Sequence, residues 1–222
     1  MDEVKVYCEN TKTYESVAMG TTLHDLCQKL NRTSVLAALV DNKLKSLDYV
    51  IINPHNVRFI GYDHPDGRRT YIRSLCFVLQ KVVRDMYPDK VLAIDYSLPS
   101  GLYCELRDLE PMDDGRPSVC FVTDEEIENI QKRMEEVIAA DLPFGKTMMS
   151  REECCSIFES QHQMEKVNLL KTLGRFNYNV YTLDGQVDTF YGPLIPSTGM
   201  LSTFDLTGFN DGFCLQYRME GV

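Results

Sequence analysis

The sequence predicts an α+β protein: a small N-terminal β-grasp (ubiquitin-like) domain over residues 1–62, followed by a larger α+β domain over 63–222. Three observations carry this prediction. Short segments of alternating polarity are joined by turn dipeptides, as in hairpins. Between them lie stretches whose apolar residues recur every three or four positions, as on one face of a helix. Two of these stretches open on Ser/Thr-x-x-Glu, a helix-start signal.

The elements follow in order. "VKVYCEN" and "KTYESVAM" read as strands around a turn at Asn10-Thr11. "GTTLHDLCQKLN" reads as a helix with Thr22 as N-cap, Asp25 in the first turn, and Leu23, Leu26, Cys27 and Leu30 at helical spacing. "VLAALVDNKLKSLDYVI" is strand, turn at Asp41-Asn42, and strand, and "NVRFIGY" is a further strand. The order ββαβββ suits a small sheet holding one helix. "DHPDGRR" is polar and turn-rich, and reads as the domain boundary. The next helix carries Leu75, Val78, Leu79, Val82, Val83 and Met86 on one face and stops before Pro88. "VLAIDYSLPSGLYCELRDL" is a hairpin, and "EPMDDGRPS" a loop. A capping box from Thr123 to Glu126 opens a helix striped by Ile127, Ile130, Met134, Val137 and Ile138. A second box, Ser150 to Glu153, opens a helix running through Phe158, and "KVNLLKTL" is another helix. Asp184-Gly185 marks a closing hairpin.

Composition excludes several classes. Apolar residues make up 44% and charged residues 25%, the balance of a globular chain. Apolar runs are too short to span a membrane, and the acidic N-terminus is no signal peptide, so a cytoplasmic protein without membrane partners is expected. The net charge is −10. Residues 1–62 are balanced, so the second unit holds the whole deficit and repels phosphate backbones. The eight cysteines lack C-x-x-C spacing and most lie in apolar surroundings, so free buried thiols are expected and a metal site is not.

Few motifs carry chemistry. Gly145-Lys146-Thr147 ends like a phosphate loop, but Ala140 stands where its first glycine belongs and a helix precedes it. A helix-terminating loop is the expectation there. Cys154 and Cys155 open a helix and could pair with His162, but Ile157 and Phe158 beside them mark a core face. His24, His55, His64 and His162 are scattered along the chain. Neither G-x-S-x-G nor H-E-x-x-H occurs.

Six landmarks in order resemble one family: "HPDGRRTYIRSLCFVLQKVVRDMYPDKVLAI", "PSGLYCEL", "TDEEIENIQKRMEEVIAADLPF", "SREECCSIF", "EKVNLL" and "VDTFYGPLIPSTG". Together they resemble the N-terminal region of threonyl-tRNA synthetase. The resemblance implies a TGS domain of β-grasp fold over 1–62 and an editing-like α+β domain over 63–222. The family's editing site uses two histidines on a helix, which fall on Arg73 and Phe77, and a Cys and a His, which fall on Phe190 and Leu194. A family tyrosine falls on Cys104, next to Tyr103, while the polar positions Lys166 and Asp188 remain. A guanidinium and three hydrocarbon side chains cannot relay a proton at neutral pH, so no catalytic residue and no metal are expected here.

Two readings of the site stay open. Arg73, Lys166 and Asp188 are the polar groups of a ligand pocket, with Phe77, Tyr103, Cys104, Phe190 and Leu194 around them; or Arg73 and Asp188 pair in a filled cleft. The same front end resembles that of bacterial uridine-kinase-like proteins, which implies a nucleoside-kinase domain beyond residue 222 as partner, with ATP and Mg²⁺ as its cofactors and none in this region. The expected function is a regulatory module sensing an amino acid, nucleoside or nucleotide. The alternatives are a tRNA-binding module using Arg68, Arg69, Arg73 and Lys166, which the acidic charge disfavours, and a surviving aminoacyl-tRNA hydrolase using Cys104 or Cys154.

Overall fold

The alternating apolar positions of the first sixty residues build a mixed sheet around one helix. In the computed structural model, which describes residues 2–110 and 112–217, the chain runs β1 (Glu3–Cys8), β2 (Thr13–Ala18), α1 (Leu23–Lys29), β3 (Ala37–Val40), β4 (Lys43–Lys45) and β5 (Asn56–Ile60). The strand order is β2-β1-β5-β3-β4, with β1 and β5 parallel. Val4, Val6 and Cys8 of β1 face inward and Glu3 and Lys5 outward, the period of two that pleating demands. Thr22 and Asp25 cap α1 reciprocally. Asp41 and Asn42 both take positive φ, the geometry of a tight hairpin turn. Asn10 ties the first turn to β5, donating to the Phe59 carbonyl at 3.0 Å and accepting from its amide at 2.7 Å. A closed cluster from Val4 to Phe59 forms this unit's core.

The remainder adds α2 (Pro65–Met86), β6 (Lys90–Leu98), β7 (Gly101–Asp108), β8 (Val119–Cys120), α3 (Asp124–Ala139), β9 (Gly145–Ser150), α4 (Arg151–Ser160), α5 (Met164–Leu173), β10 (Asn177–Leu183), β11 (Gln186–Asp188), β12 (Asp205–Phe209) and β13 (Gly212–Gln216). One sheet has the order β12-β13-β7-β6, with the unpredicted β8 also pairing to β7. The other has the order β11-β10-β9. The first packs on α2 and α3 around a large cluster that includes Leu36, a residue of the N-terminal unit. The second is covered by α4 and α5 around Cys154, Cys155, Phe158, Val167, Leu170, Tyr178 and Val180.

Two expectations are corrected. "DHPDGRR", read as turn-rich, is mostly helical: α2 starts within it at Pro65, with His64 as N-cap, its Nδ1 accepting from the Asp66 amide at 3.2 Å. Pro65 suits this place because the first helical N–H has no intrahelical acceptor to lose. Gly67 belongs there because a side chain would collide with the Gly61 carbonyl. "GKT" is not a helix-terminating loop: it opens β9, where Gly145, Lys146 and Thr147 lie opposite Thr182, Tyr181 and Val180 of β10. Among the described residues, no helix is long and apolar enough to cross a membrane. Pro111, within the loop expected before β8, and residues 218–222 at the end of the second unit lie outside the described residues.

Thr123 accepts from the Glu126 amide while Glu126 accepts from the Thr123 amide. Thr123→Ala should lower unfolding stability by about 1 kcal/mol, read as a reduced urea midpoint at unchanged slope, and Thr123→Asp should recover most of it.

Candidate functional site

Residues 187–199 form a strap laid across α2, and its backbone is held by side chains from elsewhere. The Arg73 guanidinium donates to the Pro193 carbonyl from Nε at 3.2 Å and Nη2 at 3.0 Å. The Ile195 amide donates to Ser74 Oγ at 3.0 Å, and the Tyr181 hydroxyl to the Gly192 carbonyl at 3.2 Å. Burial pushes the Tyr181 phenol up to about 12, which keeps it a donor. Gly192 sits at φ +120°, where any other residue is strained, and a Cβ there would press on the Arg73 guanidinium. At the far end Thr198 is fully buried. It exchanges backbone bonds with the turn after α3: its hydroxyl donates to the Val137 carbonyl at 2.8 Å and accepts from the Leu142 amide at 2.9 Å. Gly199 leaves room for Asp141, which accepts its amide. The Pro-Ser-Thr-Gly sequence is therefore a docking device.

Apolar side chains fill the space the strap covers. Phe77 is fully buried and Leu194 is 2% exposed. Phe77 stacks on Phe144 with ring centroids 5.9 Å apart and meets Phe190 at 5.2 Å. Phe190 in turn meets Tyr181 at 6.0 Å. Arg73, Phe77, Phe190 and Leu194 thus come together, as a plug and its latch.

The expected Arg73–Asp188 pair does not form. Arg73 is spent on the strap carbonyl and on Thr70 Oγ1, at 3.0 Å. Asp188, fully buried, instead accepts from Lys166 Nζ at 2.5 Å and from the Thr189 amide at 2.6 Å, and its other carboxylate oxygen has no protein partner. Two remaining positions stand apart. Tyr103 packs on the opposite side of β7 from Cys104, against Tyr96 and Phe209. Cys104 is buried in the core beneath α2.

Lys166 lines a separate cleft of about 570 Å³, whose walls are β6 and the link between α4 and α5 and whose floor is α2. The sequence reading missed its polar residues, Gln80, Arg84, Gln161 and Gln163. A signal existed for two: Gln80 and Arg84 continue the helical face that carries Arg73 and Phe77, at spacings of three and four. Nothing local marks the glutamines of the link.

The buried thiols are poor nucleophiles. Burial pushes the Cys76 thiol up to about 12, and raises Cys104 and Cys154 as well. All eight cysteines are free, and only Cys120 is more than slightly exposed. Among the described residues, no group of three or more His, Cys, Asp or Glu side chains is placed to hold a metal ion.

No family model matches the chain. It is similar to threonine–tRNA ligases. Identity to the Marinobacter nauticus enzyme is 27% over 199 residues, covering 88% of this chain and 30% of that one. For Carboxydothermus hydrogenoformans it is 27% over 206 residues, covering 92% and 30%. For Clostridium kluyveri it is 28% over 200 residues, covering 88% and 30%. Most of this chain is therefore a threonyl-tRNA synthetase-like region, and it spans about 30% of the length of these relatives.

Removing the Lys166 charge strands a buried carboxylate. Lys166→Met should destabilise the protein by about 2–4 kcal/mol, and adding Asp188→Asn should restore much of the loss, both read from denaturant midpoints. In native protein at pH 8, a thiol-alkylating reagent should modify Cys120 first, and the seven buried cysteines only on the timescale of unfolding, as peptide mapping would resolve.

Proposed function

We propose that this chain is a non-catalytic sensing or interaction module: a TGS-type β-grasp over residues 1–62 joined to an editing-like domain over 63–222 whose hydrolytic chemistry has been lost. The observation that carries this reading is the plug. Ester hydrolysis needs a group that carries a proton or positions water next to the reacting carbon. Where the family resemblance places such groups, this chain has Phe77, Phe190, Leu194 and an arginine latched to the Pro193 carbonyl.

The module regulates or positions an enzyme to which it is attached. On the resemblance of its front end, that enzyme is a nucleoside kinase using ATP and Mg²⁺. The tRNA-binding alternative gains little from its cations. Arg69 pairs with Asp66 at 2.8 Å, Arg68 lies over the Tyr62 ring, Arg73 faces the strap and Lys166 pairs with Asp188, so each of the four already has a partner in the protein. A hydrolase built on Cys104 or Cys154 would need a thiolate that burial disfavours at both positions.

Incubated with seryl-tRNA, the protein should release serine at the protein-free rate, and at micromolar protein it should not shift tRNA in a gel at moderate salt. Deacylation above the blank that Cys104→Ala abolishes would falsify the non-catalytic reading, and a salt-dependent shift would replace it with the tRNA-binding one.

A further inference from the structure

The cleft on α2 has the makings of a second, different site. The plug occupies the stretch of α2 around Arg73 and Phe77, whereas the cleft begins at Gln80 and Arg84, about one and two helical turns further on. Three of its glutamines, Gln80, Gln161 and Gln163, each bury an amide oxygen that has no hydrogen-bond partner. A folded protein seldom leaves such groups unmatched, and these three line one cavity. An amide presents a donor and an acceptor side by side, which suits a ligand edge carrying both.

The cleft also holds Arg84, which makes no direct ion pair among the described residues although the Asp188 and Asp85 carboxylates act on it through space. Arg84 donates to Gln186 Oε1 and to the Gln161 carbonyl, both at 3.1 Å. Two of its five N–H groups are thereby used. The N-terminus of the ten-residue helix α5 opens on the same space, and its N-cap, Gln163, makes no capping bond. A guanidinium beside the positive end of a helix is an oxyanion site. The carboxylates of the cleft are Asp95, Asp108 and Glu165. Asp95 is held by Arg107, Asp108 by Lys90, and Asp188 beside the cleft by Lys166, which leaves Glu165, on the exposed side of the first turn of α5, without an ion pair among the described residues.

We propose that this cleft binds a nucleoside monophosphate, with the phosphate at Arg84 and the start of α5 and the base edge against the glutamine amides. The volume of about 570 Å³ exceeds what an amino acid fills and accommodates a mononucleotide. This assignment deepens the proposed function and rests on its non-catalytic sensing reading.

Calorimetry on the whole chain, with inorganic phosphate, uridine, UMP, AMP and a CCA trinucleotide as separate titrants, tests it. At least one monophosphate should bind below about 1 mM, with the nucleoside and phosphate alone about tenfold or more weaker. Arg84→Gln should weaken the monophosphate about tenfold or more, consistent with loss of a charge-assisted contact. Gln163→Leu, which breaks no protein hydrogen bond of that side chain, should weaken the nucleotide and leave phosphate unchanged. No heat from any monophosphate, unchanged affinity in both folded variants, or tighter binding of the trinucleotide than of any mononucleotide would overturn the assignment. Its fate separates from that of the non-catalytic reading: seryl-tRNA hydrolysis together with mononucleotide binding overturns that reading alone, and absence of both overturns this assignment alone.

Discussion

The structure depends on the burial of α2. Its 22 residues touch β3 of the N-terminal unit, β6 and α3 of one layer, and β10 of another. A helix covered on so many sides cannot afford a single apolar stripe with a polar back. Its sequence accordingly buries Tyr71, Leu75, Phe77, Val78, Leu79, Val82 and Val83 around most of the circumference. Most of the polar groups it must also bury are matched, the Gln80 amide oxygen excepted. Thr70 and Ser74 return their hydroxyls to carbonyls one turn back, and Lys81 lies between Asp85 and Asp184. The close approach at Gly67 seats the start of this helix against the strand end that precedes it.

The same helix seats the strap of residues 187–199. The strap is held through its own amides and carbonyls by Arg73, Ser74 and Tyr181, and through its Thr198 hydroxyl by the Val137 carbonyl. None of those bonds depends on what the side chains at 190 and 194 can do. Aromatic and aliphatic replacements there pack against Phe77 and Phe144, each aromatic pair adding about 0.5–1.5 kcal/mol beyond its area. The strap thereby has an apolar underside continuous with the core.

The acidic charge has a local logic. Asp25, Glu126 and Glu153 close capping boxes, and Asp66 and Glu165 lie in first turns, where a helix's positive end favours them. Others sit in ion pairs that neutralise the cations of the second unit, at Lys90, Arg107, Arg133 and Lys166. Against that background Arg84, like Arg73 on the same helix, meets neutral oxygens rather than a carboxylate at hydrogen-bond distance.

Local pattern alone determined most of the element types, the three capped helix starts and the hairpin turns. These rest on residues within about one helical turn or one hairpin of each other, so a linear reading holds them. Only the tertiary structure decided that Pro65–Arg69 is helix, that Gly145–Thr147 is strand, that Asp188 takes Lys166 in place of Arg73, and that three glutamines share a cleft. Each of these turns on partners distant along the chain: Arg73 meets Pro193 across 120 positions, and Arg84 meets Gln186 across 102. Proline and glycine carry the same local signal in a loop as at a tightly seated helix start, and a carboxylate fits either cation equally well in sequence. Which one it meets is settled by how the layers stack on α2.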